Sequence, residues 1–201
     1  MDCISAIVLA AGESTRMGTL KALLPWQGLT LVEYQLNSLQ KCGVTQIIVV
    51  VGYRNTDIAR QIKNYSGVDV VFNQNYLEGK TTSIKTGTSI INSSSRAILI
   101  ISVDQPRPPE LISEILVSHF ASKKLITLPT HNGKGGHPIV FDISLLPAIN
   151  EITEEEEGLR KITRLHIDNI NRVPVGNPIV TLDLNTPSVF EDALHHFGSL
   201  P

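Results

Sequence analysis

Near-continuous aliphatic and β-branched runs recur along the chain: ISAIVLA (4–10), TQIIVVVG (45–52), VDVVFN (68–73), RAILIISVD (96–104) and KLITLP (124–129). Without strict alternation, such runs read as strands buried on both faces, which is the signature of parallel sheet. Between them, polar and apolar positions mix at helical spacing. TLVEYQLNSLQKCG carries Gly43 as a C-cap candidate. NTDIARQIKNYSG has Asn55 as N-cap and Gly67 past its end, and PPELISEILVSHF follows later. Strand–helix–strand alternation implies right-handed crossovers and a doubly wound α/β sheet. The second half is less regular. GGHPIVFD (135–142) and NRVPVGN (171–177) read as strands of a mixed sheet, and TEEEEGLRKI as a turn into a helix. NTPSVFEDALHHF reads as a last helix with Thr186 as N-cap and Pro187 at its first position. No linker, repeat or low-complexity tract interrupts the pattern, so a single domain over 1–201 is expected.

Composition narrows the class. Apolar residues make up 42%, enough for a core, and the net charge of -2 argues against a dedicated nucleic-acid binder. Two cysteines, Cys3 and Cys42, neither build a disulfide scaffold nor stand at metal-ligand spacing. The start MDCISAIVLAAG lacks a basic segment and a long apolar stretch, so it does not read as a signal peptide. No segment approaches the ~20 apolar residues of a membrane span. A soluble cytoplasmic protein is expected.

The first loop carries the chemistry. After the first strand come Gly12, Ser14, Arg16, Gly18 and Lys21. Such a loop lies at the carboxyl edge of the sheet, where these folds bind ligands. Its glycines let backbone N–H groups cup an anion, and Arg16 and Lys21 add positive charge. The set describes a polyphosphate cradle. It is neither the dinucleotide fingerprint, since five residues separate Gly12 from Gly18, nor a P-loop, since Lys21 does not follow Gly18 directly.

LAAGESTRMGTLKALLPWQG resembles the signature L-A-[AG]-G-x-S-x-R-M-G-x-x-K-x-L of the MobA-like nucleotidyltransferases. It is especially similar to the branch containing molybdenum cofactor cytidylyltransferase. The resemblance implies a three-layer, Rossmann-like, mostly parallel open sheet with a mixed C-terminal part, like that of the nucleotide-diphospho-sugar transferases. It implies that the loop wraps the triphosphate of a nucleotide, with Leu9, Ala10, Ala11, Gly12, Ser14 and Gly18 around it and Arg16 and Lys21 neutralising it. The guanylyl-transferring branch reads L-A-G-G, so Ala11 leans toward CTP.

Nucleotidyl transfer concentrates negative charge at the reacting phosphorus and on the departing pyrophosphate, which a divalent cation, here Mg²⁺, offsets. Asp104 in ILIISVDQP ends the most apolar strand and resembles the family's metal-binding aspartate, with Gln105 near the acceptor. TLDLNTPSVFEDAL resembles the family's D-I-[DN]-T-P segment. Asp183 is kept and is expected as a second metal ligand, and Asn185, which stands where many members have a second Asp, as a third that offers its amide oxygen. NQNYLEGKTTSIKTG (73–87) matches the family's N-x-x-[WY]-x-x-G-x-x-x-S, which places Asn73, Gly79 and Ser83 near the nucleotide at a helix start suited to an anion, with Lys80 beside it. GGHPIVF resembles G-H-P-[VI]-x-[FL], which places Gly136, His137 and Pro138 at the acceptor pocket. In EEEEGLRKI, Gly158 and Arg160 match G-D-x-G-x-R while Glu155 and Glu156 occupy its G-D positions. Arg160 would meet the acceptor's phosphate, and the glutamate run reads as a solvated turn. Trp26 reads as packing, and His195 and His196 as surface or packing residues.

The resemblance runs from about Ala6 to Leu194. It implies transfer of CMP from CTP to a molybdopterin phosphate, with a molybdenum hydroxylase as a downstream partner. Other donors or acceptors (GTP, a sugar phosphate, a different pterin) stay open. So does a non-catalytic cofactor chaperone. A dinucleotide-dependent oxidoreductase is disfavoured by the failed fingerprint.

Overall fold

The computed structural model describes residues 3–198. In chain order the elements are β1 (Ile4–Ala10), β2 (Pro25–Trp26), β3 (Leu29–Thr30), α1 (Leu31–Lys41), β4 (Gln46–Val51), α2 (Asn55–Ile62), β5 (Val68–Phe72), α3 (Lys80–Thr88), β6 (Ala97–Ser102), α4 (Pro109–Ser122), β7 (Ile126–His131), β8 (Lys134–Gly135), β9 (Ile139–Asp142), α5 (Leu146–Asn150), α6 (Leu159–Leu165), β10 (Ile170–Pro174) and α7 (Pro187–Phe197).

The main sheet runs β10-β7-β9-β6-β1-β4-β5, with β8 paired to β7. β1 lies parallel between β4 and β6, so that Val8 faces Val49 on one side and Ile101 on the other. β4–β5 and β7–β10 are also parallel, while β9 is antiparallel to both its neighbours, β6 and β7. The sheet is therefore mostly parallel and open, with the mixed part confined to the second half. β1 is the switch point: the chain leaves it toward β4 on one side and later returns through β6 on the other.

Two apolar layers cover the sheet. One face meets α1, α2, α4 and α7 through residues such as Leu36, Ile58, Ile112 and Phe190. It also carries Met17, Leu20, Ala22 and Trp26 from the segment after β1. The other face meets α3, α5 and α6 through Ile84, Ile149 and Ile162. Because adjacent side chains of a strand point to opposite faces, Ile7 and Leu9 serve the second layer while Ala6, Val8 and Ala10 serve the first. That explains why β1 reads as an unbroken apolar run.

Local details depart from the sequence reading. Asn55 is the first residue of α2, and the preceding Arg54, in a left-handed conformation, takes the cap position. The stretch read as a strand over 135–142 splits into β8 and β9 around a non-strand turn at 136–138. Thr186 does cap α7 by accepting from Val189 N, with Pro187 at the first position. Thr30 and Glu33 form a reciprocal capping box on α1. Trp26 is buried in the small β2–β3 hairpin, and His195 and His196 are exposed. Among the described residues, no helix is long and apolar enough to cross a membrane.

α3 has little amphipathic pattern in KTTSIKTGT, and close packing holds it instead. A Cβ on Gly87 would stand 2.7 Å from Ile7 Cγ2 and 3.1 Å from Val50 Cγ2, so only glycine lets this helix lie so near β1 and β4. Gly87→Val is expected to lift the helix and lower stability by ~1–3 kcal/mol, the range for overpacking a core, read by urea denaturation.

Candidate active site

The carboxyl ends of β1 and β6 open into a cleft of about 470 Å³. Its walls gather most of the residues singled out by sequence: Leu9, Ala10, Ala11, Gly12, Ser14, Arg16, Lys21, Gly79, Ser83, Asp104, Gln105, Asp183 and Asn185. Lys80, Tyr76, Thr15 and Ser102 also line it, with Leu20, Ala22 and Val103. Gly18 lies on the outer side of the first loop, in a smaller hollow with Tyr53 and Arg54.

The first loop is held from within. Ser14 sits in a left-handed conformation, its carbonyl accepts from Met17 N (2.8 Å), and its hydroxyl accepts from Lys21 N (3.2 Å). Ala11 contributes its carbonyl to Tyr53 N (3.0 Å), which ties the loop to the end of β4. Lys21 then aims inward. Its Nζ donates to Asp104 Oδ2 (2.7 Å) and to Asn185 Oδ1 (2.9 Å). Arg16, more exposed, reaches the same Asn185 oxygen at 3.4 Å.

The acidic side is equally built. A turn at the end of β6 is closed by Gln105 N donating to Ser102 O (3.0 Å), and buried Gln35 of α1 donates to the Ser102 and Gln105 carbonyls (3.1 and 2.7 Å). Gln105 Nε2 donates to Asp183 Oδ1 (2.8 Å), and Leu184 N donates to Asp104 O (2.9 Å). Asp104 and Asp183 thus meet although they lie far apart in sequence. Each is engaged through one carboxylate oxygen, by Lys21 and Gln105 respectively, which leaves the other for a ligand. Among the described residues no three His, Cys, Asp or Glu side chains converge that could hold a metal ion. Mg²⁺ is held by one or two carboxylates with phosphates and water, and the pair fits it on that count. Asn185, singled out as a third ligand, instead gives its amide oxygen to Lys21 and Arg16.

Sequence reasoning missed Arg107. It is fully buried, and it bonds only backbone carbonyls: His137 (2.9 Å), Pro106 (3.1 Å), Val180 (3.1 Å) and Leu182 (2.9 Å). Burial pulls its pKa down to about 10, against the opposing attraction of Asp183 and Asp104. One guanidinium thereby fastens the turn after Asp104, the segment before Asp183 and the 136–138 turn. A charged residue between prolines in DQPRPP was the only sign of it.

The residues expected at the acceptor side are mixed in placement. Gly136 packs so closely on the Val180 carbonyl that a Cβ has no room. The His137–Pro138 peptide is cis, and His137 N donates to Val180 O (2.9 Å). His137 Nδ1 is buried without a hydrogen-bond partner among the described residues, and burial, then Lys80 and Arg107, push its pKa down to about 3. The ring is neutral at ordinary pH. Pro138 is buried, and Arg160 is exposed on α6; neither they nor Gly136 and His137 line the cleft. Asn73 does not line it either. Its amide nitrogen donates to Thr82 Oγ1 and Ser83 Oγ (both 2.9 Å), which joins the end of β5 to the start of α3.

The glutamate run gives a further correction. Glu154 Oε1 accepts from Thr81 N (2.6 Å), so one glutamate caps the helix start expected to be free for an anion. Glu156 and Glu157 pair with Lys161 and Arg164. The run is exposed, but it is not merely solvated.

The MobA-like NTP transferase domain matches residues 6–171 of the chain. Over the full lengths of both proteins the chain is 28% identical to molybdenum cofactor cytidylyltransferase of Escherichia coli K12. It is 29% identical to nicotine blue oxidoreductase of Paenarthrobacter nicotinovorans, over 82% of this chain and 83% of that protein. Among solved structures, that of Rv0371c from Mycobacterium tuberculosis H37Rv superposes with a TM-score of 0.83 at 25% identity, covering 96% of this chain and 98% of that one.

The neutral His137, whose Nδ1 is buried, sets a pH dependence. Unfolding returns it to an ordinary value near 6.5, so the unfolded chain binds a proton that the folded chain refuses. The stability this group contributes is complete above pH 6.5 and is lost progressively as pH falls toward about 3. His137→Gln is expected to flatten the fall in urea stability between pH 6.5 and 4.5 relative to wild type. Separately, Arg107→Met is expected to lose ~3 kcal/mol or more of stability, since it strands several buried carbonyls at once.

Proposed function

Because the chain belongs to the MobA-like NTP transferase family and is a nucleotidyltransferase, we propose that it transfers CMP from CTP to the phosphate of a molybdopterin cofactor and releases pyrophosphate. The observation that carries this reading is the cleft at the switch point, in which the cations of the first loop meet the Asp104–Asp183 pair. The cytidylyl choice is supported by Ala11 in the loop and by the name of the E. coli relative.

In this mechanism an oxygen of the acceptor phosphate attacks the α-phosphorus of CTP. The bond to the bridging oxygen breaks, and pyrophosphate leaves with the electron pair. Arg16 and Lys21 offset the charge that gathers on the departing group, and Ser14 fixes the backbone from which Lys21 projects. Asp104 and Asp183 would hold Mg²⁺, which supplies charge neutralisation at the phosphates when bound. The attacking phosphate is already ionised, so neutral His137 is not needed as a base. The protein contributes positioning and preset electrostatics. A molybdenum hydroxylase would be the consumer of the product.

The test is thermal unfolding with Mg²⁺ and CTP, GTP, ATP, UTP or NADPH, on wild type and Asp104→Ala, followed by a pyrophosphate-release assay with molybdopterin. Ligand at about 100 times its Kd adds about 2.7 kcal/mol, a rise of several degrees for a chain of this size. CTP is expected to raise the wild-type Tm and to lose most of that effect in Asp104→Ala. Stabilisation by GTP instead would overturn the donor assignment. Stabilisation by NADPH alone would move the chain toward the chemistry named for its P. nicotinovorans relative. CTP binding without pyrophosphate release would favour a cofactor carrier.

A further inference from the structure

The geometry points to Lys80 as the residue that seats the acceptor's anionic group, on the opposite side of the reacting phosphorus from Arg16 and Lys21. This inference rests on the transferase reading and deepens it.

The two faces of the sheet separate the cations of the cleft. The segment bearing Arg16 and Lys21 anchors through Met17, Leu20 and Ala22 in the layer shared with α1 and α2. Lys80 is the first residue of α3, and α3 anchors through Ile84 in the other layer. Both walls meet over the ends of β1 and β6. Displacement at a phosphoryl centre places the attacking and leaving oxygens in line, on opposite sides of the phosphorus. A loop that holds the leaving pyrophosphate on one wall therefore puts the nucleophile on the other, where Lys80 stands.

The cations also differ in availability. The Lys21 ammonium is occupied by Asp104 and Asn185. Lys80 has no hydrogen bond or ion pair among the described residues, although it lines the cleft. It stands within electrostatic reach of Asp104, Asp183 and Glu154, with Arg160 and His137 nearby. Lys80 is exposed; those carboxylates favour its charged form, while desolvation, the larger effect, lowers its pKa. Glu154 holds the next backbone N–H, that of Thr81, and so fixes the turn from which Lys80 projects. The outcome is an uncommitted ammonium on the cleft wall, within electrostatic reach of the carboxylate pair and suited to a phosphate group.

The experiment titrates inorganic phosphate, as the probe of the acceptor seat, into wild type, Lys80→Gln and Lys80→Arg saturated with CTP and Mg²⁺, and measures CTP affinity for each protein separately. A charge-assisted contact is worth ~1.5–3 kcal/mol, so Lys80→Gln is expected to weaken phosphate binding about tenfold or more. CTP affinity should stay within about twofold, and Lys80→Arg should recover part of the phosphate affinity, since it keeps the charge. Unchanged phosphate affinity in Lys80→Gln, or no phosphate binding to the CTP-loaded wild type, would overturn the assignment. A loss of CTP affinity in place of phosphate affinity would overturn it too, by moving Lys80 to the nucleotide. If the wild type binds no CTP, the cytidylyl-transfer reading itself fails; if CTP binds normally and phosphate ignores Lys80, only this inference fails.

Discussion

The ammonium of Lys21 is the point on which the cleft closes. It reaches from the loop after β1 to Asp104 at the end of β6 and to Asn185 just before α7. Three stretches that fold as separate local units are thereby drawn to one place. The ion pair is largely shielded, with the two side chains 12% and 18% exposed, so its partners are held with little competition from water. Such a pair gives modest net stability, because desolvation offsets much of the attraction, but its geometry is specific. In the proposed reading it fixes where a polyphosphate and a carboxylate-bound cation would meet.

Arg107 supplies the layer beneath. Asp104 and Asp183 would repel one another if nothing intervened, and the segments that carry them have no regular pairing. A buried guanidinium bonded only to carbonyls solves both problems. It ties the segments mechanically, and its charge lies close enough to attract both carboxylates without quenching either by direct contact. Buried arginines are tolerated when their donors are satisfied, and Arg107 makes four such bonds here.

Legibility in the sequence followed locality. β1, β4 and β6 were readable because strands buried on both faces must be apolar at nearly every position, whereas β5, the edge strand, was readable from its β-branched run although Val70 and Phe72 are exposed. The first loop was readable because its glycines, hydroxyls and cations fall within ten residues of one another and need no tertiary partner to be recognised. α3 was not readable from periodicity, since its placement rests on a missing side chain at Gly87 rather than on an apolar stripe. Asn73 and Arg160 matched motif positions, yet the first is spent on Thr82 and Ser83 and the second stays outside the cleft. A motif records which residue type stands at a position, whereas contact depends on how far the backbone carries it. Arg107 and Glu154 illustrate the converse: a charge among prolines and one acid among four look like surface composition until the fold supplies their partners.

The placement of Glu154 bears on how the two substrates are kept apart. A helix start attracts anions through its free N–H groups and its dipole. Left open, the start of α3 would compete with the first loop for the phosphates of the nucleotide, and the donor would have two ways to sit. With Glu154 on Thr81 N, that general attraction is neutralised, and the positive charge on this wall is reduced to one side chain, Lys80. On the wall with Arg16 and Lys21, Asp104 is the one acid among the described residues that pairs with a cation of the loop. In the proposed reading, an asymmetry of this kind would give the triphosphate one preferred orientation and leave the facing wall to a smaller anionic group.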